Sequence, residues 1–326
     1  MDKIICFDTS IATSNMGDYI IAESCNNQLK EILLHNFIIR FPTHTPIAHW
    51  YQDFHKTSGG RYDGEAKYKF IFGTNLMNNN MCIPTPLWNV NLFNAKMAKD
   101  AICVGVGLGS VNKRPNLYTK ILLKELLSSN YIHSTRDEKT AEFLRRIGLR
   151  AINTGCATIW SLTDDHCAKI PTKKAKSVVF TLTDYMRDEK LDVCLINTLQ
   201  NNYENVYFWI QGIEDYSYLN SIVNTKNIKL IPPSLNEYSR VLSFDIDYVG
   251  TRLHAGIKAM QLGKRSIIIE VDNRTSDMKE CINLPTIKRN DIPECLDKMI
   301  QSRFVTKLNI DVKSINEWRQ QFNEIE

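Results

Sequence analysis

The sequence predicts an α/β protein built on parallel sheets. Short apolar runs recur along the whole chain, and stretches of helical periodicity separate them. That alternation is the pattern of strand–helix–strand units. The runs are apolar nearly throughout and do not alternate with polar residues, as expected of strands covered on both faces. At 326 residues the chain is too long for one small core and suits two such domains.

Each element has a local reason. In the first half the candidate strands are Lys3–Phe7, Phe37–Arg40, Lys69–Phe72, Ala101–Val104, Tyr131–Ser134 and Ala151–Asn153. In the second half they are Ser177–Phe180, Val206–Ile210, Ile228–Ile231, Ile246–Val249 and Ser266–Glu270. Thr135-Arg136-Asp137-Glu138 has the spacing of a capping box, with Thr135 as N-cap. Thr140, Phe143, Leu144 and Ile147 follow at helical spacing, and Gly148 stops that helix. A second helix starts near Thr251. Leu253, Ile257 and Met260 share its apolar face, small Ala255 and Ala259 permit close packing, and Gly263 ends it. The polar, lysine-rich stretch Asp164–Lys176 reads as a solvated linker or as an ordinary surface loop. The expected organisation is a first domain over 1–165, a second over 176–305, and a C-terminal helix within 306–326.

Composition narrows the function. The net charge is only +4 and no Lys/Arg run forms an arm, so a dedicated nucleic-acid binder is not expected. The nine cysteines are scattered without a CxxC pair, which points to reduced thiols in a cytoplasmic protein and not to zinc or disulfides. No run approaches the ~20 apolar residues of a membrane span, so membrane contact is peripheral at most, at the inner face. GxSxG, HExxH and GxxxxGK[ST] are all missing from the sequence.

Ligands of open parallel sheets bind beyond the carboxyl ends of the strands. Among those loops, Gly250-Thr251-Arg252-Leu253-His254 stands out. A buried strand runs through a glycine straight into a helix, whose first-turn N–H groups and dipole attract an anion. Arg252 adds a planar fork for phosphate or carboxylate, and His254 can move a proton near neutral pH. The competing structural reading pairs Arg252 with Asp245 or Asp247 and leaves His254 to packing. Asp272, Asn273 and Arg274 end the next strand, where Asp272 serves equally well as a helix N-cap. Asn15-Met16-Gly17-Asp18 places a small residue and an acid after the first strand, suited to a sugar hydroxyl or to a plain helix start. Gly73-Thr74-Asn75 and Gly105–Ser110 end two further strands, and the latter lacks the spacing of a dinucleotide fingerprint. The aromatic stretch 44–55, with Trp50, Tyr51 and Phe54, is a candidate sugar wall or a loop packed by its own rings.

Taken together, Asn15–Asp18, Gly73–Asn75, Gly105–Gly109, Ser134–Asp137, Thr154-Gly155-Cys156 and above all Asp247–His254 resemble the polysaccharide pyruvyltransferase family. They run in family order over roughly residues 4 to 290. The resemblance implies a GT-B-like architecture, two Rossmann-like domains with parallel sheets facing an interdomain cleft, with the helix within 306–326 crossing back onto the first domain. It implies phosphoenolpyruvate as co-substrate, with no further cofactor and no metal. The acceptor would be a sugar of a glycan or lipid-linked oligosaccharide, as in capsule or exopolysaccharide synthesis, and the product a cyclic pyruvate ketal plus phosphate. Arg252, Leu253 and His254, with Thr251, would contact the donor. Asn15, Gly17, Asp18, Asn75 and Gly107 would contact the acceptor. Many members carry an arginine at the end of the first strand of the second domain, where this chain has Thr181-Leu182-Thr183-Asp184. A second anion holder would then be Arg274, Arg187 or Arg136. Ketal formation needs two proton roles; His254 is the choice for one, and Asp184 or Asp18 for the other. Two other readings stay open. A nucleotide-sugar glycosyltransferase on the same scaffold would use Glu270 or Asp272 on a ribose. A non-catalytic anion- or glycan-binding protein would keep the scaffold without turnover.

Overall fold

The protein is described by a computed structural model over residues 1–47, 66–82, 87–109, 114–272, 275, 278 and 281–322. Contacts divide the chain into two units. Unit 1 comprises Met1–Thr13, Ile21–Trp160 and Asp311–Glu326; unit 2 comprises Ser14–Ile20 and Ser161–Ile310. The segment Ser14–Ile20, expected with residues 1–165, therefore belongs to the second unit.

In chain order the first elements are β1 (Lys3–Asp8), α1 (Met16–Gln28), α2 (Lys30–Leu34), β2 (Phe37–Pro42), β3 (Ala66–Phe72) and β4 (Ile102–Val104). There follow α3 (Leu117–Leu126), β5 (His133–Thr135), α4 (Glu138–Arg146) and β6 (Ala151–Asn153). The four strands β2-β1-β3-β4 form a parallel sheet, and β5 pairs parallel with β6. A bridge from Val106 to Thr135 links the two sets. Ile5, Phe7, Ile71 and Cys103 meet Leu122, Leu126 and Leu144 in one buried cluster.

The remaining elements are α5 (Asp164–Cys167), β7 (Ser177–Phe180), α6 (Glu189–Asn202), β8 (Asn205–Trp209), α7 (Asp215–Ile222), β9 (Ile228–Ile231) and α8 (Leu235–Val241). After them come β10 (Ile246–Gly250), α9 (Leu253–Gln261), β11 (Ser266–Glu270), β12 (Thr286–Lys288), α10 (Ile292–Gln301) and α11 (Val312–Gln320). Unit 2 holds a six-stranded parallel sheet in the order β12-β11-β10-β7-β8-β9. Strand order reverses between β7 and β10, the switch point at which such sheets bind ligands. Both faces are covered: Val178, Phe180, Val249, Ile267 and Ile269 share one cluster, while Val179, Tyr248 and Ile268 are buried as well. Close packing of α9 depends most on Gly256, where a Cβ would lie 2.5 Å from Ile268 and 2.8 Å from Tyr248.

Two local expectations change. Thr135 is the last residue of β5, and Asp137 is the N-cap of α4, accepting from Thr140 N at 2.8 Å. Pairing with β6 keeps Thr135 extended, so the next eligible side chain caps the helix. The stretch 164–176 is also more than a linker: it contains α5 and buries Cys167 and Ile170. β12 had no counterpart in the sequence reading. Residues Asp311–Glu326 group with unit 1, where Trp318 stacks edge-on against Trp160 at 5.5 Å.

Candidate active site

At the switch point of unit 2, Thr251, Arg252, Leu253 and His254 line a small cavity of about 30 Å³ together with Asn15, Tyr185, Gln211, Asp272 and Thr275. These side chains come from the carboxyl ends of β7, β8, β10 and β11 and from the segment that opens α1. The turn into α9 is held from below. Thr181 Oγ1 and the Tyr248 hydroxyl are 2.7 Å apart, and Tyr248 donates to Arg252 O at 2.8 Å. Thr183 and Thr251 hydroxyls meet at 2.7 Å. Tyr238, stacked on Trp209 at 3.8 Å, donates to Ala255 O at 2.9 Å. Arg252 is the N-cap residue of α9 but makes no side-chain cap, so its guanidinium points elsewhere.

That guanidinium is deeply engaged. Nε donates to Leu182 O at 2.8 Å, and Nη2 donates to Asp184 Oδ1 at 2.9 Å and to Asp215 Oδ1. Asp215 is fully buried, and its other oxygen accepts from Gly212 N at 2.7 Å and Gln211 N at 3.2 Å. Burial pushes the Asp215 carboxyl up, against the pull of Arg252 and the Gly212 N–H. Burial also opposes the charge on Arg252, but Asp215 and Asp184 outweigh it and the guanidinium is held more firmly charged than usual. Gly212 is required by this approach: a Cβ there would lie 2.4 Å from Arg252 Nη2. The aromatic face of Tyr185 lies 5.2 Å from the same guanidinium. Nη1 has no hydrogen-bond partner among the described residues, so two N–H groups remain for an anion.

Arg252 thus pairs with neither Asp245 nor Asp247. Asp247 is buried with Arg265 at 3.0 Å and the Tyr203 hydroxyl at 2.8 Å, and it serves the core. Thr181 is fully buried and turned to Tyr248.

The segment that opens α1 is docked on the same site. Met16 N donates to Gln211 O at 2.8 Å, and Asn15 bridges to Gly212. Gly17 N donates to Asn15 Oδ1 at 3.0 Å, which defines that atom as the oxygen, and Gln211 Nε2 donates to the same oxygen at 3.1 Å. Gln211 Oε1 is buried without a partner among the described residues, in a residue only 4% exposed that lines the cavity. Asp18 is buried in the first turn of α1.

The other proposed cations differ from one another. Arg187 is exposed, donates from Nε to Asp184 O at 2.8 Å and lies over the Tyr218 ring at 4.9 Å. Arg274 and Asn273 lie outside the described residues, as do Trp50, Tyr51 and Phe54. Arg136 belongs to unit 1, at the carboxyl end of β5. Its side chain is 15% exposed, and Asp137 Oδ2 stands 3.6 Å away, beyond hydrogen-bond range. A Cβ on Gly107 would lie 2.7 Å from Asn75 Oδ1 and 2.8 Å from the Arg136 guanidinium. Asn75, Gly107 and Arg136 therefore converge at the strand ends of unit 1, with Asn75 Oδ1 buried and without a partner among the described residues. Among the described residues no three His, Cys, Asp or Glu side chains are placed to share a metal, and no helix is long and apolar enough to cross a membrane.

The model of the polysaccharide pyruvyl transferase family matches residues 15–273. The chain belongs to the polysaccharide pyruvyl transferase family. That match runs from Asn15 in the docked segment to the carboxyl end of β11, so it contains nearly every residue of the cavity. No curated protein matches this family member. Among solved structures, a UDP-GlcNAc 2-epimerase from Methanocaldococcus jannaschii, in complex with UDP-GlcNAc and UDP, is similar at 12% identity and a TM-score of 0.53, covering 98% of both chains. MnaA of S. aureus with UDP is similar at 11% identity and a TM-score of 0.57, covering 97% of this chain and 94% of that one. At such identities the likeness is one of fold: α/β, parallel-sheeted and GT-B-like.

In this pyruvyl transferase family member, Asp215, Tyr185, Gln211 and Thr275 join the site without having stood out in the sequence. Asp215 carries only a faint signal, an acid in the first turn after a strand-end Gln-Gly. The choice of Arg252, His254, Thr251 and Leu253 put four residues into one cavity, whereas Arg136, Asn75 and Gly107 form a separate cluster in unit 1.

Proposed function

We propose that this protein transfers the pyruvyl group of phosphoenolpyruvate to two hydroxyls of a sugar in a glycan or lipid-linked oligosaccharide, forming a cyclic ketal and releasing phosphate. The observation that carries the reading is the cavity at the start of α9, in a chain of this family. There the first-turn N–H groups and Nη1 of Arg252, which has no partner among the described residues, offer hydrogen-bond donors to one small space. The carboxylates of Asp184 and Asp215 hold the guanidinium in place and offset its charge. They leave the N–H groups of Nη1 for the donor.

The reaction balances without a further reactant. One sugar oxygen bonds to C2 of phosphoenolpyruvate while C3 takes a proton and becomes a methyl group. The second sugar oxygen then bonds to C2 as the C2–O bond to phosphate breaks. Two hydroxyl protons are lost, one to the methyl group and one to the departing phosphate. His254, at the second position of α9 and lining the cavity, is the proposed proton carrier. Asp184 shares the cavity's guanidinium and Asp18 lies in the docked segment; either carboxylate is proposed to receive a hydroxyl proton. Gln211 Oε1 suits a hydroxyl donor and repels an anion, so we assign it to the sugar side. Asn15 and Gly17 support that residue. In unit 1, Arg136 with Asn75 and Gly107 is proposed to hold a further anionic group.

The nucleotide-sugar reading has less support. Glu270 accepts from the Thr286 hydroxyl at 2.5 Å, and Asp272 Oδ1 accepts from Thr275 N at 3.4 Å, so both carboxylates already serve local structure. Incubation with phosphoenolpyruvate and a panel of synthetic or lipid-linked glycosides tests the proposal. Equimolar phosphate release and a mass gain of one ketal-linked pyruvate are expected. Transfer from a nucleotide sugar, with phosphoenolpyruvate untouched, would refute it.

A further inference from the structure

A surface of unit 1 that the reaction does not use combines exposed apolar side chains with cations. Helix α3 buries Thr119, Leu122, Leu123 and Leu126, which is the face its core needs. Its outer face would ordinarily be polar. Here Leu117 is 74% exposed and Ile121 is exposed as well, one turn apart on the same side. Phe93, 77% exposed, and Leu92 add exposed apolar side chains on a loop that reaches α3. Leu92 N lies 3.4 Å from the Tyr118 hydroxyl, which ties their loop to the start of α3.

Cations border these apolar groups. Lys120 and Lys124 are exposed on α3, again one turn apart. A depression of about 430 Å³ beside the helix is lined by Arg114, Pro115, Lys120 and Arg146. Lys124 Nζ reaches across to within 3.9 Å of a Cβ built on Gly148. The acids nearby are Glu125 on the same helix and Glu142, which binds Arg146 at 3.0 Å. Arg114, Lys120 and Lys124 thus keep a net positive border.

We propose that this face docks on an anionic lipid bilayer. Leucine, isoleucine and phenylalanine flanked by lysine and arginine are what an interface-bound helix presents, apolar tips entering the acyl boundary and cations meeting lipid phosphates. Pairing with a second copy is disfavoured by charge, since a twofold contact would bring these cations together. The proposal does not depend on the chemistry assigned to unit 2.

Vesicle flotation of the full chain tests it. The protein floats with vesicles of equal phosphatidylglycerol and phosphatidylcholine at about 0.1 M salt and is released near 1 M, where the Debye length falls to about 3 Å. It does not float with phosphatidylcholine alone. Lys120→Glu with Lys124→Glu lowers binding at least tenfold, in line with about fivefold per lost cation. Leu117→Asp with Ile121→Asp abolishes it. All four positions are exposed, so thermal midpoints stay at the parental value. Failure to float with the anionic vesicles overturns the proposal. So does equal flotation on neutral ones, or a dimer in gel filtration that Leu117→Asp dissolves in a chain that ignores lipid.

Discussion

Arg252 and Asp215 form a buried ion pair, the guanidinium 5% exposed and the carboxylate 0%. The pair joins the starts of α9 and α7 across the switch point of the sheet. It makes the most conspicuous cation of the sequence a structural group as well as a candidate ligand. Breaking such a pair from one side leaves a charge stranded. Arg252→Ala is expected to destabilise the protein by about 3–5 kcal/mol and to remove phosphoenolpyruvate binding. Replacing both partners, Arg252→Met with Asp215→Asn, should restore part of the stability without restoring the binding, since Asn keeps an acceptor for the Gly212 and Gln211 N–H groups. Chemical denaturation and calorimetry on the same samples separate the two effects.

His254 carries a proton in this scheme and little of the donor's charge. His254→Ala should lower kcat by about 10²–10⁴-fold, the usual span for one general acid–base group. Phosphoenolpyruvate affinity should stay within a few-fold. Turnover that survives the substitution removes His254 from the proton path.

Gly212 lets the guanidinium lie against the backbone. Gly212→Ala places a Cβ where Arg252 Nη2 now sits, 2.4 Å away. The expected cost is about 1–3 kcal/mol, as for other overpacked sites. Donor affinity falls with it, because the fork must move. A melt unchanged from the parent protein would show that Arg252 has room the structure does not display.

Gln211 Oε1 is a buried acceptor waiting for a donor. Gln211→Glu puts charge in that position and should raise the KM for the sugar acceptor while also weakening phosphoenolpyruvate binding by repulsion. Gln211→Leu removes the acceptor without adding charge, and should raise the acceptor KM with donor affinity retained. Steady-state kinetics with each substrate varied in turn distinguishes these outcomes.

In unit 1, His133 is buried between β4 and the chain ahead of β5. Its Nε2 lies 2.9 Å from Ser128 O and its Nδ1 3.3 Å from Cys103 N, so the neutral ring donates from Nε2 and accepts at Nδ1. Burial lowers its pKa from 6.5 to about 4, against a smaller opposing pull from the Ser128 carbonyl. The unfolded chain therefore takes a proton below pH 6.5 that the folded chain refuses until about pH 4. Its contribution is fully present above 6.5 and is lost as pH falls through that window, about 3 kcal/mol in all. Thermal midpoints of the parent protein should drop between pH 6.5 and 4 more steeply than those of His133→Gln.

The layout of strands was legible because parallel strands buried on both faces are written as unbroken apolar runs. Ser177–Phe180 and Ser266–Glu270 could be read directly. β12, three residues behind a proline, is too short to carry a pattern. The cap of α4 was ambiguous locally, since Thr135 and Asp137 both precede the helix and only strand pairing decides between them. Gly250–His254 was legible as a site because strand end, glycine, arginine and histidine are contiguous. Its partners were not. Asp215 stands 37 residues from Arg252, and Asn15 stands 196 from Gln211. No periodicity links positions that far apart, and only the folded sheet brings them together.

Phosphoenolpyruvate is proposed to be held at the start of α9, and a crystal structure of the protein soaked with it is the decisive test. An anionic group of the ligand is expected within hydrogen-bond distance of Arg252 Nη1 and the first-turn N–H groups of α9, with C3 facing His254. Density for the ligand away from Thr251–His254, with Arg252 still bound only to Leu182, Asp184 and Asp215, would remove the donor from this site.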